Sequence, residues 1–291
     1  MSVAFVVLAH RCPAQVARLA RRLAPYPVLL HVSGGVHPSV SAAFEAETAR
    51  LEHVEALPRH RSNWGSWGIV AASLTGLRGA LALPEDWTHV ALLSGQDYPL
   101  SPVAEIDAFL AGHAGRSFVP RWGLPTPLWG RDGGMHRVRY RHWPVRGRRL
   151  FLPVPRRPPK GIALHGGSLW WVLSRPAAEA VARFVEARPD VTRFYERTWI
   201  PDEMFVPTAL MNGPEAERVI NESLTFIRWS RRGAPHPDVL GASDEHELAA
   251  AARGASSAGG YGRRKLFARK FDAEIDAEIL DRMDARAMAA R

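Results

Sequence analysis

Residues 3–9 read Val-Ala-Phe-Val-Val-Leu-Ala, a continuous apolar run close to the start of the chain. A short run of this composition predicts a strand that is buried on both faces of a parallel sheet. Pro13 then begins a predicted helix, and residues 27–32 form a second apolar strand that ends at Gly34. The order strand, helix, strand predicts a right-handed crossover unit at the start of an α/β domain.

Apolar periodicity and cap signals predict the elements that follow. The predicted helices cover residues 67–83, 174–185 and 271–288 and begin at Ser101 and at Pro201, and the predicted strands cover residues 88–93, 117–119, 169–173 and 224–229. Strands and helices alternate at first and then mix, which favours a three-layer α/β domain with a mostly parallel central sheet. We predict a single domain over residues 1–272 and a C-terminal helix or tail over residues 273–291. A Gly/Ser/Ala-rich stretch over residues 254–262 predicts a loop.

Composition narrows the class of protein. The chain has 291 residues, of which 46% are hydrophobic and 23% are charged, so it can bury a large core and is not globally disordered. Its one cysteine, Cys12, permits no intrachain disulfide and points to a reducing compartment. No apolar run reaches the roughly 18 residues of a membrane-spanning helix, and the first residues lack the pattern of a signal peptide. We therefore expect a cytoplasmic protein, with a peripheral contact to the inner face of the membrane as an open option.

The net charge of +9 is concentrated in one segment. Residues 116–160 contain many arginines and prolines, and Asp132 is their lone acid. Such a surface attracts nucleic acid, anionic membrane or anionic substrates, and the prolines exclude a long basic helix. The segment is interpreted either as a solvated basic loop or as an arginine-rich excursion from the domain.

Motif searches leave three short stretches with candidate chemistry. The chain has no P-loop, dinucleotide fingerprint, serine elbow or paired cysteines, and no Asp-x-Asp, the usual handle for a nucleotide-bound metal. Residues 94–97, Ser-Gly-Gln-Asp, follow a predicted strand and suit either a ligand contact or a tight turn capped by Asp97. Residues 201–203, Pro-Asp-Glu, hold either a general base or two acids that favour a helix start. Residues 266–272 place Arg269 and Lys270 between aromatics, as a clamp for a diphosphate or as a surface helix.

Taken in order, six segments resemble the core-2/I-branching family, which comprises β-1,6-N-acetylglucosaminyltransferases and peptide O-xylosyltransferases. The segments are FVVLAH at 5–10, NWGSWGIV at 63–70, LSGQDYPL at 93–100, GGSLWWVLSR at 166–175, PDE at 201–203 and LFARKFD at 266–272. The resemblance implies a GT-A-type (Rossmann-like) fold. It also implies inverting, metal-independent transfer of N-acetylglucosamine or xylose from a UDP-sugar to an acceptor hydroxyl, with no cofactor. The expected partners are the UDP-sugar and a glycan or glycoconjugate, not a nucleic acid.

The resemblance also assigns roles to residues. Glu203 falls on the catalytic base of the family and Lys270 on its diphosphate-binding lysine, with Arg269 beside it. Fixed cations would then do the work that a metal does elsewhere. Asp202 is expected to orient the turn, so that its loss costs stability. The further candidates are His10 and Ser33 for the donor, Trp64, Gly65, Ser94, Gln96, Asp97 and Asp202 for the sugar pocket, and Arg139, Tyr140, His142 and Trp170 for the acceptor, with no metal ligand.

The chain departs from the family pattern in two places. Ser33 stands where the family commonly has an aspartate that helps to hold the uridine, which leaves that contact in question. A second clamp arginine has three candidates, Arg228, Arg231 and Arg232. Two alternatives to a transferase stay open, a module that binds polyanions or nucleic acid and an inactive sugar-binding homologue.

Overall fold

The computed structural model describes residues 2–145, 148–231, 234, 236–254 and 264–289. The strands are β1 (Val3–Ala9), β2 (Val28–Val32), β3 (Val54–Ala56), β4 (His89–Ser94), β5 (Asp97–Pro99), β6 (Ser117–Phe118), β7 (Arg121–Gly123), β8 (Arg141–Val145), β9 (Arg148–Leu152), β10 (His165–Gly167), β11 (Val172–Ser174), β12 (Val219–Ile220), β13 (Thr225–Ile227) and β14 (Phe267–Arg269). The helices are α1 (Pro13–Leu23), α2 (Pro38–Thr48), α3 (Trp67–Ala82), α4 (Val103–Ala111), α5 (His136–Arg139), α6 (Arg175–Ala187), α7 (Pro189–Tyr195), α8 (Phe205–Met211), α9 (Glu245–Arg253) and α10 (Glu278–Ala289). The loop predicted over residues 254–262 lies outside the described residues except for Gly254.

The central sheet has the strand order β12-β6-β11-β4-β1-β2-β3. β1 pairs in parallel with both β2 and β4, and β2 pairs in parallel with β3. β11 runs antiparallel to its neighbours β4 and β6. The prediction of an α/β domain with a mostly parallel sheet is therefore confirmed.

The sheet is covered on both faces because successive residues of β1 point in opposite directions. Phe5 and Val7 belong to a core cluster that contains apolar residues of α1, α10 and β14. Ala4 and Val6 belong to a second cluster, built with α3, α6 and α8. These two cores make the three layers that the alternating pattern predicts.

A separate three-stranded sheet contains Arg269 of the arginine–lysine motif, at the end of β14. β14 lies between β13, to which it is parallel, and β5, to which it is antiparallel. Leu266, Phe267, Ala268 and Phe271 are fully buried. The interpretation of residues 266–272 as a surface helix is therefore wrong, because this segment is a buried strand.

The terminal helix predicted over residues 271–288 begins later than expected. α10 starts only at Glu278, because Asp276 accepts hydrogen bonds from the backbone N–H groups of Ala242 and Ile279 and so turns the chain. Ile279 and Leu280 of α10 are fully buried in the same core as β1. The stretch predicted as a C-terminal helix or tail thus contains a helix that packs on the core of the domain.

The strand predicted over residues 169–173 is shifted. β11 covers Val172–Ser174, and the hydroxyl of Ser168 accepts a hydrogen bond from the N–H of Trp170 at 3.1 Å. This local turn keeps Leu169 and Trp170 out of the sheet. Among the described helices, none has the length and apolar character needed to cross a membrane.

Candidate active site

The turn after β4 is held by Asp97. This fully buried carboxylate accepts hydrogen bonds from the N–H of Ser94 at 2.6 Å and from its hydroxyl at 3.1 Å. The small residue at Gly95 is explained by packing, because a Cβ there would lie 2.5 Å from Val16 of α1. These contacts match the tight-turn interpretation of residues 94–97, and a contact of Asp97 with a sugar stays a prediction.

Arg269 joins this turn to the second sheet. Its Nη1 lies 3.4 Å from Asp97 Oδ1, and its guanidinium stacks 3.8 Å above the ring of Trp170. Burial lowers the pKa of Arg269, and the neighbouring Asp97 opposes that shift. Within the described part of the chain, Nε of Arg269 has no hydrogen-bond partner. The structure therefore brings Asp97, Trp170 and Arg269 together. It leaves the Nε–H group of Arg269 without a hydrogen-bond partner among the described residues.

Lys270 lies among other cationic groups at the carboxyl end of β1. Desolvation lowers the pKa of its ammonium, and the charges of Arg269 and Arg11 lower it further. The pKa of His10 is lowered by desolvation and by Arg11, Lys270 and His236. The charges of Arg269 and Arg11 beside Lys270 would stabilise an anion here, although Arg11 is also paired with Asp272 and Glu274. Arg11 and His236 were not predicted as site residues.

The backbone around Lys270 is fixed on both sides. The N–H of Phe271 donates to the carbonyl of Gln96 at 2.8 Å, and the carbonyl of Lys270 accepts from the N–H of Leu240 at 2.8 Å. The buried amide of Gln96 donates to the carbonyl of Phe271 at 3.3 Å, and Gln15 donates to the same carbonyl at 3.2 Å. Gln96 therefore positions the lysine segment.

Ser33, at the end of β2, supports a neighbouring loop. Its hydroxyl accepts hydrogen bonds from the N–H groups of Gly35 at 3.3 Å and Ser62 at 3.4 Å. His31 is buried and stacks on His60 with 5.8 Å between ring centroids. Burial, with the charge of His60, lowers the pKa of His31 to about 4. The end of β2 thus anchors residues 62–66, which carry Trp64 and Gly65.

Trp64 is the first ring of an aromatic wall, which is formed by Trp64, Trp199 and His142. Trp64 is 54% exposed and meets Trp199 edge-on at 5.2 Å, and the carbonyl of Gly65 accepts from the N–H of Ile200 at 3.2 Å. The buried ring of His142 lies 6.3 Å from that of Trp199. A cavity of about 220 Å³ opens here, between Gly65, His142 and the segment Glu196–Thr198. A larger cavity of about 400 Å³ lies between α4, α9 and α10, and it is lined by none of the predicted site residues in the described chain.

Glu203 lies at the end of the 3₁₀ helix Pro201–Glu203, next to this wall. Its carboxylate is 37% exposed and accepts a hydrogen bond from Arg137 at 2.6 Å. Arg137 stacks 3.8 Å above the ring of Trp129, and its carbonyl accepts from the N–H of Trp199. Arg137 was not predicted, since the basic segment offers many arginines and no pattern that selects this one.

Asp202 differs from Glu203 in its surroundings. It is buried, and its Oδ1 has no hydrogen-bond partner among the described residues. Burial, with the charge of Glu203, raises the pKa of Asp202 to about 7. Adjacent carboxylates therefore have different environments, one ion-paired at the surface and one buried and readily protonated.

Several predicted residues lie apart from these groups. Arg139 is exposed, and Tyr140 packs on Phe151 of the β8–β9 hairpin at 5.7 Å. Arg228 is bound by Asp238, Asp244 and Glu247. Arg231 is exposed, and Arg232 lies outside the described residues. Arg228 is therefore engaged in a structural network, which disfavours it as the second clamp arginine.

One group of potential metal ligands occurs within the described residues, at Cys12, Asp272 and Glu274. Arg11 already contacts all three, with Nε 3.3 Å from the sulfur and Nη2 3.1 Å and 2.8 Å from the two carboxylates. A guanidinium fills the place that a metal would take, so this group is better described as an ion-pair cluster.

Comparisons with known proteins agree with the resemblance seen in the sequence. The family model described as Core-2/I-Branching enzyme matches residues 3–247. Xylosyltransferase 1 from Mus musculus is 26% identical over 76% of this chain and 23% of its own length, and the Homo sapiens protein is 25% identical over 97% and 30%. The chain thus spans less than a third of these relatives. The solved structure of mouse xyloside xylosyltransferase 1 in its apo form aligns with a TM-score of 0.41 and 12% identity over 92% of this chain and 97% of that one.

Proposed function

This chain belongs to the Core-2/I-Branching enzyme family, and we propose that it is an inverting glycosyltransferase that needs no metal. The donor would be UDP-xylose or UDP-N-acetylglucosamine, and the acceptor a hydroxyl of a glycan or glycoconjugate. The observation that carries the proposal is the pair Arg269 and Lys270, whose backbone is fixed against Gln96 and Leu240 and whose arginine is buried between Asp97 and Trp170.

The donor side follows from charge. A nucleoside diphosphate gains negative charge as the bond to the sugar breaks, and preorganised cations stabilise that charge without a metal. Lys270 would contact the diphosphate, because its backbone is fixed and its ammonium is repelled by other cations. Arg269 would also stabilise the charge of the diphosphate. Asp97 and Trp170 hold its guanidinium, and its Nε–H group has no hydrogen-bond partner among the described residues.

The acceptor side follows from Glu203. A partly exposed carboxylate beside an aromatic wall suits the removal of a proton from a sugar hydroxyl. The ion pair with Arg137 orients the carboxylate of Glu203 in the resting protein. In this proposal Glu203 takes the acceptor proton while the acceptor oxygen attacks the anomeric carbon, and the UDP leaves from the opposite face.

The names of the relatives favour xylose over N-acetylglucosamine as the donor sugar. The single cysteine supports a cytoplasmic location, and the basic residues of segment 116–160 support a peripheral contact with an anionic membrane. Ser33 supports the nucleotide only indirectly, since its hydroxyl is occupied by two backbone N–H groups.

The test is a turnover assay with UDP-xylose and UDP-N-acetylglucosamine, in which UDP release is measured with a panel of saccharide acceptors and excess chelator. We expect acceptor-dependent release of UDP that the chelator does not reduce. Activity that disappears in chelator and returns with manganese would contradict the metal-independent mechanism. Binding of UDP without turnover on any acceptor would favour an inactive sugar-binding homologue, and binding of polyanions alone would favour the binding module.

A further inference from the structure

The β8–β9 hairpin has two chemically different faces. It forms a separate two-stranded sheet, in which Arg141 pairs with Leu152, His142 with Phe151 and Trp143 with Leu150. Because directly paired residues share a face and neighbours alternate, Phe151 and His142 lie on one face. Leu150, Leu152, Trp143 and Arg141 lie on the other.

The first face packs against the domain. The ring of Phe151 lies 5.9 Å from that of His142 and 5.7 Å from that of Tyr140, and His142 in turn lies 6.3 Å from Trp199. This chain of rings connects the hairpin to the aromatic wall of the candidate site. These ring contacts hold the hairpin against the domain, although Phe151 itself remains 46% exposed.

The second face is largely aliphatic and exposed at its edge, while its Trp143 is partly buried with Arg197 5.6 Å from the ring. Leu150 is 53% exposed and Leu152 is 45% exposed, and Val154, just beyond β9, is 59% exposed. Large apolar side chains that are exposed together, rather than singly, mark an interaction surface. We call Leu150, Leu152 and Val154 the aliphatic patch.

The surroundings of the aliphatic patch are cationic. Arg139, Arg141, Arg157 and Lys160 are exposed, and among the described residues no carboxylate pairs with these three arginines. Asp132, the lone acid of the segment, is engaged by His136 at 3.0 Å, and Glu196 is an exposed acid near the cavity. The face therefore carries Arg141 beside the aliphatic side chains, and further exposed cations flank the hairpin in the sequence.

We propose that this face of the hairpin docks on the surface of an anionic lipid bilayer. Such a surface rewards both features, since aliphatic side chains enter the headgroup boundary while arginines meet the lipid phosphates. A nucleic acid would use the arginines and could stack on Phe151, which is 46% exposed, but it has no use for three aliphatic side chains. A second copy of this chain would bring the same positive charge and be repelled.

Docking would bring the wall formed by His142 and Trp199 next to the lipid surface. An acceptor carried by the membrane would then reach the site directly. That consequence rests on the proposed transferase activity. Docking itself deepens only the peripheral membrane contact proposed above, and it is measured without donor or acceptor.

The experiment is sedimentation of the full chain with vesicles of phosphatidylcholine alone and of phosphatidylcholine mixed with phosphatidylglycerol. We expect binding to the anionic vesicles only, weakened by added salt. Leu150→Ser with Leu152→Ser should lower the partition coefficient by about tenfold, since two aliphatic side chains no longer enter the interface. Arg141→Gln with Arg157→Gln should lower it as well.

The matched control replaces two exposed apolar residues elsewhere, Ile275→Ser with Met288→Ser, which are 68% and 66% exposed and should leave vesicle binding unchanged. Circular dichroism checks that each variant is folded. If the double leucine variant does not fold, the double arginine variant still tests the proposal. Wild-type protein that ignores anionic vesicles, or folded hairpin variants that bind as tightly as wild type, would overturn the proposal. So would tighter binding to an oligonucleotide that does not depend on the two leucines.

Discussion

The contact between Arg137 and Glu203 governs how the candidate base behaves. Glu203 is only partly buried, and it pairs with the guanidinium of Arg137, which is fixed by stacking on Trp129. Replacing the carboxylate by an amide keeps the shape but removes the ability to accept a proton. We expect Glu203→Gln to retain UDP affinity and to lower turnover by about 10²–10⁴-fold, the usual scale for a lost general base.

The measurement is UDP release on the best acceptor, alongside UDP affinity by calorimetry. Glu217→Gln is the control, because Glu217 is exposed on another 3₁₀ helix and has no part in the proposed chemistry. Near wild-type turnover of Glu203→Gln would mean that a different group takes the proton.

Lys270 is predicted to contact the diphosphate and not the nucleoside. Lys270→Ala should therefore weaken UDP binding by about 1.5–3 kcal/mol, the worth of a partly desolvated charge-assisted contact. Uridine affinity should stay the same, because uridine lacks the phosphates. Lys160→Ala, at an exposed lysine, is the control. Equal losses for UDP and uridine would show that the lysine supports the fold instead.

Asp202 gives the stability a pH dependence of definite sign. Its pKa is about 7 in the folded chain and roughly 3.9 in an unfolded one, so the fold binds a proton in that window. The stabilisation that this proton gives is complete below the lower value and is lost as the pH rises through the upper one. The asparagine variant mimics the protonated acid at every pH. We expect the free energy of unfolding of Asp202→Asn to rise relative to that of wild type between pH 5 and pH 8, by on the order of 1–3 kcal/mol.

The expected sign reverses the sequence-based expectation that the loss of Asp202 costs stability. Urea denaturation of both proteins at several pH values measures it. A constant difference between wild type and variant across this range would show that Asp202 is ionised in the fold.

At the scale of elements, the sequence predicted what apolar runs can encode. β1, β2 and β4 are buried on both faces, so their hydrophobic side chains are continuous in the sequence and their ends could be located. β14 is short and ends in Arg269, and its partners β5 and β13 are distant in the sequence, so no local pattern distinguishes it from a helix.

The candidate site was predictable to the same extent. Residues at strand ends could be found, and the family resemblance added Glu203 and Lys270. Arg137 lies 66 positions from the glutamate that it binds, and His236 meets Lys270 only through the fold. Pairings of this kind are set by tertiary structure, which a single sequence does not display.

The packing of α3 on β1 provides a test at this scale. A Cβ at Gly76 would lie 2.2 Å from Val6 Cγ1, while one at Gly79 would meet its nearest neighbour, Leu57 Cδ2, at 3.1 Å. We expect Gly76→Ala to destabilise the fold by about 1–3 kcal/mol, because the helix must move off the sheet. We expect Gly79→Ala to leave the stability nearly unchanged, because its higher helix propensity offsets the tighter packing. Thermal denaturation of both variants measures the contrast, and equal midpoints would show that α3 can shift freely.

For the whole molecule, α10 closes the core although it follows the region that the family model matches. Asp284 of α10 accepts a hydrogen bond from the hydroxyl of Tyr98 at 2.8 Å and pairs with Arg18 and Arg22, both at 2.8 Å. Tyr98 is the fully buried neighbour of Asp97 in β5. The helix therefore braces β5, the strand that pairs with β14 and carries Asp97, the partner of Arg269.

Asp284→Asn tests this brace, because the amide keeps the volume of the side chain and removes its charge. It should cost about 1–3 kcal/mol of unfolding free energy, since a largely buried acceptor of one tyrosine and two arginines is lost. Asp281→Asn is the matched control on the same helix, because Asp281 is 70% exposed and its ion pair among the described residues is with Arg18. Such a surface pair contributes about 0–1 kcal/mol. Urea denaturation gives both values, and UDP affinity of the folded variants shows whether the brace also supports the donor side. If the two variants lose the same stability, α10 is held by its apolar face alone and Asp284 does not connect it to β5.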